Sequence, residues 1–83
     1  MTAPQGVLEW RCRRGALELD TLMLRYLRHR YPTAPAQERD AFARLLEFPD
    51  PVLFDLLIRR TGAGEREIAH VVERVLAGPG AAA

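Results

Sequence analysis

The chain has 83 residues, of which 48% are hydrophobic and 28% charged, and 12 basic against 11 acidic side chains leave a formal net charge of +1. This length suits one small domain with a thin core, and the near balance of charge argues against strong attraction to nucleic acid or to anionic membranes. A single cysteine, Cys12, excludes an internal disulfide, and two histidines are too few for a typical zinc site.

The first half of the chain carries the spacing of two helices. Residues from about 4 to 14 are compatible with a short helix, although Gly6 opposes it. A second helix is indicated by apolar residues spaced i, i+3, i+4, i+7 and i+8, and it must end by Pro32, whose ring removes an internal hydrogen bond. Those apolar residues are Leu19, Leu22, Met23, Tyr26 and Leu27.

The second half predicts three more helices. The third runs from about residue 35 to residue 48, with an apolar side and a charged side. The fourth begins with Asp50 as N-cap and Pro51 at the first helical position, and its middle is apolar almost all round, so we expect it to be the central, most buried helix. The fifth carries apolar residues at helical spacing from Ile68 to Leu76, and Gly78 and Pro79 close it.

This pattern predicts an all-α fold, a single compact five-helix bundle formed by residues 1–78, with a flexible C-terminal tail at 79–83. No strand alternation and no internal repeat is present. The expected core consists of the apolar residues on the inner helix faces, namely Phe42, Leu45, Leu46, Leu53, Phe54, Leu57, Val71, Val72 and Val75.

The stretch RCRRGALELD, residues 11–20, reads first as a helix corner. Gly15 lies at the predicted junction, where a residue able to take positive φ ends a helix without strain. The three arginines at 11, 13 and 14 then fall in the last turn of one helix, while Glu18 and Asp20 fall in the first turns of the next. Each sign of charge suits the helix dipole at its position.

The same corner also has the features of a docking site. Gly15 lacks a side chain, so another protein's backbone can approach it closely while Arg14 and Glu18, expected to be exposed charges, reach around it. Trp10, one turn earlier, is of a type enriched in interface hot spots, although a lone tryptophan in so small a domain is more often core. We therefore take the candidate partner-binding residues to be Trp10, Arg11, Arg14, Gly15, Glu18 and Asp20.

Two segments of the sequence resemble a known family. WRCRRGALELD carries an RGxxE motif as Arg14, Gly15 and Glu18, and FARLLEFPDPVLFDLLIRR resembles the segment that follows it in the SdhE family of succinate dehydrogenase assembly factors. The resemblance covers roughly residues 7–77. Pro49 stands where the family more often has a polar or acidic residue, which predicts a shorter or reshaped turn between the third and fourth helices.

The resemblance implies a small five-helix protein that binds the flavoprotein subunit of succinate dehydrogenase, and often of fumarate reductase. Such a factor promotes covalent attachment of FAD to a histidine of that subunit. It is implied to be a helper rather than an enzyme, with no catalytic residue, no cofactor and no metal of its own. No apolar run approaches the ~20 residues that span a bilayer, and the opening stretch MTAPQGV lacks the charged start and apolar stretch of an export signal, so a cytoplasmic location is expected.

Other functions are weighed against this one. An antitoxin-like protein that neutralises a toxin partner would use similar surfaces, and the sequence leaves this alternative open. A helix-turn-helix around EFPDP is disfavoured because Asp50, Asp55 and an apolar surface cannot read a major groove. The chain has no serine and no phosphate-binding loop, so hydrolase or transferase chemistry has no candidate residues.

Overall fold

The computed structural model describes residues 5–78, which contain no strand and fold into one helical unit of about 27 × 25 × 25 Å. The predicted all-α fold with five helices is confirmed. The elements are α1 (Gln5–Arg11), α2 (Leu17–His29), α3 (Ala36–Leu45), α4 (Asp50–Leu57) and α5 (Arg66–Ala77), with a 3₁₀ turn at Tyr31–Thr33 between α2 and α3. The predicted tail at 79–83 and Pro79 lie outside the described residues.

The core forms where α2, α3 and α5 pack together around Phe42. The Phe42 ring lies 4.5 Å from the Tyr26 ring and 5.8 Å from the Tyr31 ring, centroid to centroid, in tilted arrangements that aromatic pairs favour. Every predicted core residue except Phe54 is buried. Helix α2 contributes four buried side chains to the core, namely Leu19, Met23, Tyr26 and Leu27. Leu8 of α1 and Cys12, the residue that follows α1, are buried against the same core.

Helix α4 departs from its prediction as the most buried helix. Leu53, Leu56 and Leu57 face the core, but Val52 and Phe54, on the two flanks of that face, are 40% and 39% exposed. The prediction of a central α4 and of a buried Phe54 is therefore wrong. An eight-residue helix that packs on one side only leaves its flanking side chains in solvent, even when those side chains are apolar.

The start of α4 is also set differently from the prediction, whereas the end of α5 is as predicted. The N-cap of α4 is Pro49, not Asp50, and the Pro49 carbonyl accepts from the amides of Val52 and Leu53 at 3.0 and 3.1 Å. Gly78 closes α5 as predicted, with a φ of 80°. The guanidinium of Arg25 donates to the carbonyl of Val75 at 3.0 Å, so a cation of α2 stabilises the C-terminus of α5.

A buried carboxylate joins α2, α3 and α5. Glu38 accepts hydrogen bonds from the Tyr26 hydroxyl at 2.7 Å and from Arg30 at 2.9 and 3.1 Å, and His70 Nε2 lies 2.9 Å away. Burial alone would raise the pKa of Glu38, but the hydrogen bonds from Arg30, Tyr26 and His70 outweigh it and hold that pKa at about 2. The helical spacing of the sequence does not predict this network, because its members lie on different helices.

Within residues 5–78, every helix is too short or too polar to cross a lipid bilayer.

Candidate docking site at the first helix corner

The corner between α1 and α2 turns at a glycine. The amides of Cys12 and Arg13 close the end of α1 by donating to the carbonyls of Leu8 at 3.0 Å and of Trp10 at 3.1 Å. Gly15 then adopts a φ of 83°, a left-handed conformation that costs an L-residue ~1–2 kcal/mol. The predicted positive φ of Gly15 is confirmed. A Cβ built at Gly15 meets nothing within 4 Å, so the space in front of it is open.

Helix α1 ends at Arg11, earlier than expected. Arg13 and Arg14 therefore lie in the corner itself and not in the last turn of the helix, and this part of the prediction is wrong. Glu18 and Asp20 do lie in the first turn of α2, as predicted. One carboxylate oxygen of Asp20 accepts from the Arg14 backbone amide at 2.6 Å, so Asp20 fixes the backbone of the corner.

Arg14 is not the exposed charge that the motif suggested. Its side chain is only 17% exposed and its guanidinium is occupied within the protein. Nε donates to the Arg11 carbonyl at 2.9 Å, and Nη1 donates to the Phe48 carbonyl at 3.1 Å and to Asp50 at 3.2 Å. Nη2 donates to the Leu46 carbonyl. Arg14 thus binds the corner to the segment between α3 and α4.

Two apolar side chains and a carboxylate are among the groups that face solvent at the corner. Trp10 is 76% exposed, so the alternative of a core tryptophan is wrong, and Leu17 at the start of α2 is 81% exposed. Glu18 is exposed and its carboxylate forms no hydrogen bond or ion pair within residues 5–78. Arg11, at the end of α1, is exposed as well.

Leu17 is a site residue that the sequence analysis missed. Its position two residues before Leu19 places it opposite the apolar face of α2, which Leu19, Met23 and Tyr26 define. The signal in the sequence was that this leucine lies off the apolar face of its own helix, which indicates an exposed apolar side chain. Leu17 and Trp10 are thus large exposed apolar side chains that flank Gly15 in the sequence.

A shallow groove of about 450 Å³ lies beside this corner. Its lining combines apolar and charged side chains from α1, the corner and the segment after α3, namely Trp10, Arg11, Arg13, Arg14, Leu46 and Glu47. Burial raises the pKa of the nearby Cys12 thiol to about 12, so the thiol stays protonated and is a poor nucleophile. This surface is suited to binding a protein segment.

Among residues 5–78, no group of three or more His, Cys, Asp or Glu side chains is arranged to hold a metal ion.

Similarity to known proteins extends over most of the chain. A family described as "Flavinator of succinate dehydrogenase" matches residues 7–78. The FAD assembly factor SdhE of Coxiella burnetii is 32% identical over 68 residues, which is 82% of this chain and 83% of the relative. FAD assembly factor SdhE from Mannheimia succiniciproducens and from Pseudomonas putida are each 35% identical over 69 residues, 83% of this chain and 80% and 82% of the respective relatives. No solved structure matches the chain.

Proposed function

This chain belongs to the family of succinate dehydrogenase flavinators, and we propose that it binds the flavoprotein subunit of succinate dehydrogenase and promotes covalent attachment of FAD to a histidine of that subunit. The flavoprotein of fumarate reductase is a second target of the same kind. The flavin and the histidine belong to the partner. The chain acts as a helper without catalytic residues of its own.

The observation that carries the proposal is the exposed surface around Gly15. Trp10 and Leu17 place large apolar side chains in water on a small protein, and burying such a side chain stabilises a complex by ~1.5–3 kcal/mol. Glu18, next to Leu17 in the sequence, adds an exposed carboxylate that is able to accept from an arginine or a backbone amide of the partner. The open space at Gly15 admits the partner's backbone.

Binding at this surface promotes flavin attachment by positioning. The reaction needs the partner's histidine held neutral and aimed at the flavin, and both of these groups lie on the partner. Holding two reactants in a productive geometry lowers a barrier by up to ~7–11 kcal/mol. A rigid helical corner that fixes one part of the flavoprotein supplies some of that amount without donating a catalytic group.

The test is the covalent flavin content of the flavoprotein, measured by in-gel fluorescence after co-expression in cells that lack their own assembly factor. The wild-type chain should raise this signal, and Trp10→Ala and Glu18→Gln should reduce it strongly. Glu73→Gln, an exposed carboxylate on α5, is the matched control and should behave as wild type. All these changes are at exposed positions, where substitutions change stability by under ~0.5 kcal/mol.

Two results would contradict the proposal. If the wild-type chain does not raise the covalent flavin content of the flavoprotein, the proposed function is wrong. If Trp10→Ala and Glu18→Gln are both fully active, and circular dichroism shows that all variants are folded, the proposed function stands but the proposed docking site is wrong. Co-purification with a toxin in place of the flavoprotein would favour the antitoxin alternative.

A further inference from the structure

Arg14 connects two parts of the chain that are far apart in sequence. Its guanidinium reaches from the α1–α2 corner to the turn between α3 and α4, where it meets the carbonyls of Leu46 and Phe48 and the carboxylate of Asp50. These partners lie 32 to 36 residues away along the chain. We call residues 46–49 the α3–α4 turn.

The geometry of this contact requires a guanidinium. Arg14 uses Nε, Nη1 and Nη2 in different directions, toward the Arg11 carbonyl on the corner and toward the carbonyls and carboxylate of the opposite segment. A planar group with five N–H donors in a fixed fork can serve such a set, whereas a lysine ammonium is a single point of charge. The contact therefore locks the α3–α4 turn against the corner.

Because Nε, Nη1 and Nη2 of Arg14 all donate hydrogen bonds within the chain, few of its N–H groups are free to bind a partner. The exposed groups lie on either side of it, with Gly15 and Glu18 on the corner and Glu47 and Pro49 on the turn. We propose that the docking surface for the flavoprotein consists of both the corner and the α3–α4 turn, and that Arg14 is the positioning residue that holds the two in register.

The groove between these two parts indicates what the partner presents there. Trp10 supplies an apolar wall beside Leu46, while Arg11 and Arg13 line the same groove with positive charge. A segment of the flavoprotein that carries an apolar side chain next to a carboxylate matches this lining. Glu47, on the turn side, is placed to accept from a donor at the edge of that segment.

This inference rests on the proposed function, because the partner is the flavoprotein named there. If the turn detaches from the corner, only the fraction of molecules with the turn in place can bind, and the apparent affinity falls by that fraction. A variant in which the turn is in place for a tenth of the time binds ~10-fold more weakly.

The first measurement uses the free protein. Hydrogen exchange is followed at the amides of Glu47 and Phe48, which donate to the carbonyls of Arg44 and Leu45 at 3.0 and 3.1 Å within the turn. Arg14→Ala and Arg14→Lys should both lose protection at these amides. Arg11→Ala, an exposed arginine at the same corner, is the charge-matched control and should keep it. Unchanged protection in Arg14→Ala would overturn the inference.

The second measurement is the affinity for the purified flavoprotein subunit, taken at a temperature where each variant is fully folded. Arg14→Ala and Arg14→Lys should bind ~10-fold or more weakly. Val71→Ala, which removes buried core volume on α5, controls for lower stability and should bind as wild type. Wild-type affinity of Arg14→Ala despite a loosened turn would show that the turn lies outside the docking surface and would overturn the inference.

Different results would contradict the proposed function and the proposed role of Arg14. A wild-type chain that does not bind the flavoprotein contradicts the proposed function and, with it, the docking surface. A wild-type chain that binds the flavoprotein equally well with and without the Arg14 guanidinium contradicts only the further inference.

Discussion

The buried carboxylate of Glu38 provides a quantitative prediction about stability. Its side chain is 2% exposed and binds Tyr26 on α2, Arg30 just after α2 and His70 on α5. Replacement by Gln keeps the shape but removes the charge that Arg30 and Tyr26 donate to. Since Arg30 remains partly in solvent, we expect Glu38→Gln to cost ~2–3 kcal/mol, below the ~3–5 kcal/mol typical of breaking a fully buried pair.

The pH dependence of this effect has a definite sign. The pKa of Glu38 is about 2 in the folded protein and ~4.3 in an unfolded chain, and a difference of this size corresponds to ~3 kcal/mol. Because the folded pKa is depressed, the contribution is fully present above the unfolded pKa and is lost as the pH falls toward 2. The stabilities of wild type and Glu38→Gln should therefore converge between pH 5 and pH 2.

The assay is urea unfolding followed by far-ultraviolet circular dichroism at several pH values. Trp10 is too exposed in the folded state for its emission to be the preferred probe. Asp40→Asn, an exposed carboxylate on the same helix, should change stability by under ~0.5 kcal/mol at every pH. A gap between wild type and Glu38→Gln that stays constant from pH 5 to pH 2 would refute the reasoning.

Two further predictions concern packing and the corner. Leu57→Ala should cost ~2–5 kcal/mol in urea unfolding, whereas Phe54→Ala, at a 39% exposed position on the same helix, should cost under ~1.5 kcal/mol; equal costs would mean that α4 does not pack as described. Gly15→Ala and Gly15→Arg should each lose ~1–2 kcal/mol of stability from the left-handed φ. Because the partner's backbone would occupy the open space in front of Gly15, the arginine should abolish covalent flavin formation and the alanine should reduce it less, and wild-type activity of both variants would exclude a close approach there.

Local patterns in the sequence predicted the helices and most of the core. Apolar spacing located α2, α3 and α5, and their inner faces are buried as expected. Gly15 was identified as a turning point because its requirement for positive φ depends only on the residue type and the neighbouring helix signals. Helix spacing and the conformational freedom of glycine depend only on neighbouring residues, so they can be predicted from a single sequence.

Phe54 shows that apolar periodicity alone does not predict which residues of a helix are buried. The middle of α4 is apolar on nearly every side, so its sequence does not say which side faces the core. The direction is set by how α4 packs against the rest of the bundle, which leaves Val52 and Phe54 on the flanks. An apolar residue was therefore assigned to the core when its helix had only one face to bury.

The roles of Arg14 and Glu38 depend on contacts between distant parts of the chain. Two of the three carbonyls that Arg14 meets belong to residues more than 30 positions away, and any residue type can supply a carbonyl, so no sequence pattern marks them. Glu38 likewise finds its partners on other helices. Sequence located the candidate site at the corner, but tertiary structure decided which of its charges remain free.

The most direct test of the account is to identify what touches Trp10 in the cell. An aromatic photo-crosslinking amino acid replaces Trp10, which keeps an aromatic ring at this 76% exposed position, and the crosslinked product is identified by mass spectrometry. The same crosslinker at Glu73 on α5 serves as the control. The account predicts that position 10, and not position 73, captures the flavoprotein subunit of succinate dehydrogenase or fumarate reductase. Capture of that subunit from position 73 alone, or of a toxin from position 10, would contradict it.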